Sequence, residues 1–434
     1  MSVAVALTRP LHALRPLRPL ALVAALCLMH PLAWSQAAAP AAAAATAASG
    51  PTVSPEAAKP LAAAQQALRD GKYTDALARL AEAEALPKLS PYEAYVLRRI
   101  KSAATFGAGD LAKALPMFEA LIDDPQLPAG ERASMTETTI KVALQAKDYV
   151  RAGSWMKRYI DGGGQDAEIR RLYPQVLSLN GDHAGAAAGF KAAVTAEEAA
   201  GRIPAEASLR LLASSQSQSN DDAGYLVSLQ KLATTTGKAD YWSELIARTA
   251  RQDGFAGERL RLDIYRLRQA VGMTLSAGEL GDMAFRANQA GLPAEAQKLL
   301  DDGFERKVLG LDANAEADRK LREQATKSAM QERAGLAEAE SGLRSAKDGQ
   351  AAYGLGLAMS GAGQHEKALT LIAQGLAKGG LKRPDDALLH QGIAQWRAGQ
   401  IDAAAKTFAA VGGSDGTADL ARLWLAYLKS PARK

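Results

Sequence analysis

Tyr353-Gly354-Leu355-Gly356 runs on to Gly363-Gln364-His365-Glu366-Lys367-Ala368-Leu369, and the stretch from Leu388 to Gly399-Gln400-Ile401-Asp402-Ala403-Ala404 states the same pattern again. Gly356 aligns with Gly392, Gly363 with Gly399, Ala368 with Ala404 and Ile372 with Phe408, all at an offset of 36. A fixed period of this length marks a stack of identical supersecondary units, each too small to bury its apolar face alone.

The same signal extends upstream: a Gly or polar turn residue, Ala five positions on, and a large apolar residue nine positions on. It occurs as Gly71, Ala76, Leu80; Gly109, Ala114, Phe118; Lys147, Ala152, Met156; Gly181, Ala186, Phe190; and Gly291, Ala296, Leu300. Weaker versions are Asn220, Tyr225, Leu229 and Asp253, Glu258, Leu262, and the spacing leaves room for one degenerate unit around Lys327. The turn residue permits a tight reversal between helices A and B. The Ala lies where helix B crosses helix A at close range, and the apolar residue falls one turn further along the same face.

These positions and periods resemble the tetratricopeptide repeat over roughly residues 60–430. Trp242-Ser243-Glu244-Leu245 matches the aromatic and leucine entry of helix A, and Gly356 and Gly392 match its small mid-helix residue. The resemblance implies an all-α fold, a right-handed α-solenoid of TPR-like helical hairpins. Departures are the units near 220, 253 and 327, which lack the central Ala, and spacings above the family's usual period. A weaker resemblance, carried by Tyr241-Trp242-Ser243-Glu244-Leu245 and Ala290-Gly291-Leu292-Pro293-Ala294-Glu295-Ala296, is to periplasmic repeat proteins associated with TonB-type energy transduction.

The expected organisation is a signal peptide at 1–35, an Ala/Pro-rich disordered linker at 36–59 and TPR-like repeats at 60–310. A polar degenerate helical hairpin at 311–349, two clear repeats at 350–416 and a C-terminal capping helix at 417–434 follow. The leader reading rests on Arg9, Arg15 and Arg18, an apolar run at 20–29, and small residues before a cut after Ser35 or Ala37. Cys27, the one cysteine, lies in that leader behind Leu26, which disfavours a lipid anchor. Beyond the leader about 49 basic side chains face 47 acidic ones, giving no electrostatic case for nucleic acid or anionic lipid. No later segment is long and apolar enough to span a bilayer. The address read from these features is a bacterial periplasm.

Candidate chemistry is sparse. His183, His365 and His390 lack a second ligand at metal-site spacing. Ser228-Leu229-Gln230-Lys231 matches a Ser-x-x-Lys nucleophile pattern without the Lys-Thr-Gly that should follow. Glu340-Ser341 matches the catalytic Glu of murein lytic enzymes without their downstream substrate motif. The Gly-rich residues 375–380 lack the Lys and Ser/Thr of a phosphate loop. No catalyst, metal or cofactor is assigned. The expected function is a non-catalytic scaffold for an extended peptide or protein of the cell envelope, linked by resemblance to TonB-type transport. Its concave wall, made by the A helices, is expected to carry Arg69, Arg99, Lys141, Arg171, Arg251, Tyr353, Trp396 and Arg397. The competing readings are a cell-wall enzyme or its activator, and a component of polysaccharide or outer-membrane assembly.

Overall fold

The computed structural model describes residues 52–433 except Asp312. The expected leader and most of the expected linker lie outside the described residues. Those described form twenty α-helices and one short 3-10 turn, with no strand among them. The helices are α1 Pro55–Arg69, α2 Tyr73–Glu84, α3 Pro91–Gly107, α4 Leu111–Ile122, α5 Arg132–Gln145, α6 Tyr149–Asp161, α7 Ala167–Leu179, α8 His183–Ala199, α9 Glu206–Gln218 and α10 Asp222–Thr236. They continue with α11 Ala239–Thr249, α12 Gly257–Ala270, α13 Ala277–Gln289, α14 Pro293–Glu305, α15 Ala315–Gly342, α16 Gln350–Gly361, α17 His365–Lys378, α18 Pro384–Arg397, α19 Ile401–Ala410 and α20 Thr417–Leu428. The fold is an all-α stack of TPR-like hairpins, divided into two compact units between Ala193 and Val194.

The turn signal has one recurring geometry. Gly71, Gly109, Lys147, Gly181, Asn220, Gly291, Gly363 and Gly399 all have positive φ. The residue after each donates its N–H to the carbonyl five positions back, as in Lys72 to Ala67 at 2.8 Å and Gln400 to Gln395 at 2.8 Å. That bond closes helix A in a Schellman turn. In four of these turns the next residue is an aspartate that caps helix B: Asp110, Asp148, Asp182 and Asp221 accept from the N–H three positions on at 2.8–3.2 Å. The small residue of helix A also has its reason. A Cβ on Gly356 would lie 2.7 Å from the Ile372 side chain, and one on Gly392 would lie 2.5 Å from the Phe408 ring.

In the first unit order begins earlier than Pro60. Ser54 caps α1 by accepting from Ala57 N–H at 3.4 Å, and its own N–H donates to Glu93 Oε1 at 2.6 Å. Glu93 also accepts from Ser90 N–H at 2.7 Å in the capping box that opens α3. Burial would raise this carboxyl, but the hydrogen bonds from Ser54 and Ser90 outweigh it and hold the pKa at about 2. Residues 55–59, expected in a disordered linker, are therefore the first turn of a helix whose Ala57, Leu61, Ala64 and Leu68 are buried.

The second unit departs from the repeat at three places. The unit expected at Asp253 reverses at Gly254 through a connector running from the end of α11 at Thr249 to the start of α12 at Gly257. Glu258, expected in the close-crossing position, is exposed, and Leu260 is buried instead. The connector is long because it is anchored elsewhere: Ala256 N–H donates to Asp415 O at 2.8 Å. The hairpin expected at 311–349 is instead one unbroken helix, α15, of 28 residues. Its Ala, Glu, Lys, Arg and Gln content supports about 42 Å of continuous helix. Leu321 packs with the core around Leu300, whereas Leu336 packs beside Leu343, Ala352 and Met359.

The third departure is α20. An end cap should bury one face, yet nine of its twelve residues are buried, and it packs on α10, α11 and α12 as well as on α18 and α19. Trp424 meets Trp396 at 5.0 Å and stacks on Phe408 at 5.7 Å, while Tyr427 makes an edge contact with Trp242 at 6.5 Å. The last helix is thus the interior of its unit rather than a lid on the last repeat.

Candidate binding cleft

Four helices of the second unit place ionisable side chains in a buried line. Arg266 on α12, 6% exposed, donates from Nη1 to Asp263 Oδ1 at 2.7 Å and from Nε to Glu295 Oε1, on α14, at 3.0 Å; its Nη2 also donates to Glu295 Oε2. Arg397 on α18 donates to Glu295 Oε1 at 2.7 Å. His390, also on α18, holds Asp263 through Nε2 at 3.1 Å, and its Nδ1 lies 2.6 Å from the Tyr353 hydroxyl of α16.

Burial raises both carboxyls, and the cations beside them prevail. Glu295 falls to about 2 because Arg266 and Arg397 face it, and Asp263 is held well below the usual range by His390 and Arg266. Burial, and then the charge of Asp263, pushes the Tyr353 hydroxyl up, so it stays a neutral donor. Every charge in the line has an opposite partner, which is the condition for ions to persist in a core.

Above the Glu295–Arg397 end opens a cleft of about 980 Å3, walled by α14, α15, the α16–α17 turn and α18. Its position follows from α15: this helix packs on α14 early and on the α16–α17 hairpin late, leaving Arg333 at the cleft wall between them. Lys298 on α14 pairs with Asp302 at 3.3 Å, and Asp301 pairs with Arg322 at 2.6 Å. Arg333 is in no ion pair among the described residues, although its charge acts on the neighbouring Glu332. His365 Nδ1 is buried with no hydrogen-bond partner among the described residues, and burial, with Arg397 nearby, lowers this imidazole's pKa. The cleft is a polar trough with a loose cation, an unsatisfied imidazole nitrogen and the indole of Trp396 along one side.

Of the residues expected on a concave wall, only Trp396 and Arg397 line this cleft. Tyr353 is 9% exposed and belongs to the buried line, so it is no surface contact. Arg251 lies in the connector after α11 rather than on an A helix. In the first unit, Arg99 is taken up by Glu131 at 2.9 Å and by the Tyr95 hydroxyl at 3.2 Å. Arg69 donates to Gln66 at 2.6 Å, Arg171 lies 3.8 Å from Glu168, and Lys141 is half-buried on α5.

The other motifs resolve as packing or surface. Ser228 is buried and donates to Gln216 at 2.6 Å, while Lys231 pairs with Glu198 at 2.7 Å. Glu340 is ion-paired with Lys367. His183 opens α8. Sequence reasoning missed Asp263, Arg266 and Glu295, because their partners lie up to 127 positions away. The one local signal is Asp263 and Arg266 at i and i+3 on one helix face.

No protein-family model matches the chain, and no curated protein matches it in sequence. Among solved structures the chain is similar to the crystal structure of the yeast Tom70, at 12% identity, covering 86% of this chain and 95% of that chain with a TM-score of 0.23.

Proposed function

We propose that this protein is a non-catalytic TPR-like scaffold that holds an extended segment of a partner protein in the cleft between α14, α15 and the α16–α17 turn. The observation that carries the reading is the break in the hairpin stack at α15, which opens a polar trough beside a charge-locked core. A stack of hairpins presents such troughs at little entropic cost because its walls are rigid helices. Unpaired polar groups along the wall suit a ligand with main-chain amides and charged side chains better than an apolar molecule. The proposal extends to place: the basic and apolar leader pattern supports export, so the partner belongs to a bacterial envelope. The Tyr241–Leu245 and Ala290–Ala296 stretches support a link to TonB-type transport, and they act here largely as packing positions, with Trp242 and Ala296 0% exposed.

The test is site-specific photo-crosslinking in intact cells from position 333, with position 171 as control. One dominant envelope protein captured at 333 and lost in the Lys298→Glu variant, whose side chain is exposed on the cleft wall, supports the reading. Equal capture at both positions overturns it.

A further inference from the structure

A second surface in the same unit carries its own signature. A groove of about 530 Å3 lies between the loop after α8, the outer face of α10 and one edge of α20. Ile203 in that loop is 80% exposed, and Val227, one turn before Gln230 on α10, is 56% exposed. Leu425 and Pro431 line the other side. The charged residues in the lining are Arg422 and Lys429, with no acidic residue among them. Arg422 is held by Asp419, whereas the Lys429 ammonium has no carboxylate partner among the described residues.

The polar groups on the floor narrow the ligand class. The Thr234 and Thr235 hydroxyls in the lining donate to carbonyls one turn back, at 2.8 and 2.7 Å, which uses their protons and leaves their oxygens as acceptors. The Gln230 carboxamide makes no hydrogen bond to any described residue, so both its donor and its acceptor are available. A side-chain amide with both capacities matches a peptide unit, which offers one N–H and one C=O, and has no counterpart in an acyl chain. Exposed aliphatic side chains around a recess, beside an unneutralised cation, match an apolar side chain flanked by carboxylate.

We propose that this groove docks a short acidic segment of a partner protein in which a large aliphatic side chain adjoins a carboxylate. Ile203, Leu425 and Pro431 take the aliphatic group, Lys429 takes the carboxylate and Gln230 takes a main-chain amide. The site is separate from the cleft, and neither reading depends on the other.

The experiment uses the full chain and two fluorescein-labelled probes, acetyl-Glu-Leu-Leu-Glu-amide and acetyl-Lys-Leu-Leu-Lys-amide, followed by anisotropy. The acidic probe should bind saturably and at least tenfold more tightly than the basic one. Ile203→Asp should weaken it about tenfold, and Lys429→Glu should reverse the preference between probes; both positions are exposed, so the melting temperature should not move. Arg333→Glu, in the cleft, should leave binding of this probe unchanged. Equal binding of both probes, or binding indifferent to Ile203→Asp, overturns the proposal. Sedimentation of the chain with phosphatidylglycerol vesicles, lost in Ile203→Asp, would also overturn it, in favour of a membrane surface.

Discussion

His390 Nε2 lies 3.1 Å from both carboxylate oxygens of Asp263, a residue 127 positions earlier in the chain. On its other side the ring's Nδ1 lies 2.6 Å from the Tyr353 hydroxyl, so one imidazole ties α18 to both α12 and α16. Arg266 ties the same carboxylate to Glu295, so α12, α14, α16 and α18 are joined by one continuous line of charge. A nearest-neighbour stack needs no such link. Together with α20 it makes the second unit cooperative over a long sequence range.

Arg266→Met should therefore be strongly destabilising. It leaves two buried carboxylates short of their shared cation, and breaking a buried pair in this way costs about 3–5 kcal/mol. The triple variant Arg266→Met, Asp263→Leu, Glu295→Leu should recover part of that loss, because it removes both stranded carboxylates and leaves only Arg397, 22% exposed, to turn towards solvent. Urea melts followed by tryptophan fluorescence in a Trp155→Phe background will report on the second unit, which holds Trp242, Trp396 and Trp424. A single variant no less stable than the parent would show that the line does not lock the core.

The pH dependence has a defined sign. Burial opposes ionisation of Glu295 but Arg266 and Arg397 outweigh it and hold its pKa at about 2, against 4.5 for an ordinary glutamate, so below pH 4.5 the unfolded state binds the extra proton. Its stabilisation is fully present above that value and is lost as pH falls towards about 2. At about 1.4 kcal/mol per pH unit the group contributes roughly 3 kcal/mol. Glu295→Gln should be less stable than the parent at pH 7, and its stability should fall less steeply between pH 5 and pH 3. Glu93, also at about 2, leaves a residual slope in both proteins. Parallel acid limbs from urea titrations would remove Glu295 from this role.

The hairpins were legible because their signals are local: a left-handed turn residue, Ala five positions on, and an apolar residue one turn later. Gly363 with Ala368 and Ile372 needs only ten consecutive residues to be read. The unit at Asp253 misled because its connector is held by Asp415, a contact invisible to local spacing. The period leaves room for a degenerate unit around Lys327, but residues 315–334 contain neither Gly nor Pro and propensity favours an unbroken helix. The cleft was only half legible: Trp396 and Arg397 were named from the A-helix register, while Arg333 faces them only because α15 fails to turn. A strict register gives Tyr353 a groove face, while inter-repeat packing is the stronger expectation for an aromatic there, and the distant His390 is what it packs against.

Two glycines two positions apart in the repeat should respond oppositely to alanine. Gly354 is exposed on α16 and an added Cβ meets nothing within 4 Å, so Gly354→Ala should stabilise by about 0.5–1 kcal/mol through helix propensity. On α18, a Cβ at Gly392 would lie 2.5 Å from the Phe408 ring, which is itself stacked on Trp424. The ring has no room to yield, and Gly392→Ala should cost about 1–3 kcal/mol. Thermal melts of the two variants side by side decide the matter, and equal shifts would mean the helices do not approach as closely as drawn.

Lys147 is the informative exception among the turns. It holds φ 57° where most of its counterparts are glycine, and Asp148 caps the following helix regardless by accepting from Arg151 N–H at 3.0 Å. A side chain in the left-handed region carries a steric penalty of about 1–2 kcal/mol, partly offset because glycine loses more backbone entropy on folding. Lys147→Gly should therefore raise stability by about 0.5–1 kcal/mol. Lys147→Val should lower it by more, since a β-branched residue is poorly tolerated at positive φ. Both follow from the turn alone, so hydrogen exchange should show the effect concentrated in α5 and α6. An effect spread evenly over the helices before Ala193 would mean that the first unit unfolds as one cooperative block rather than hairpin by hairpin.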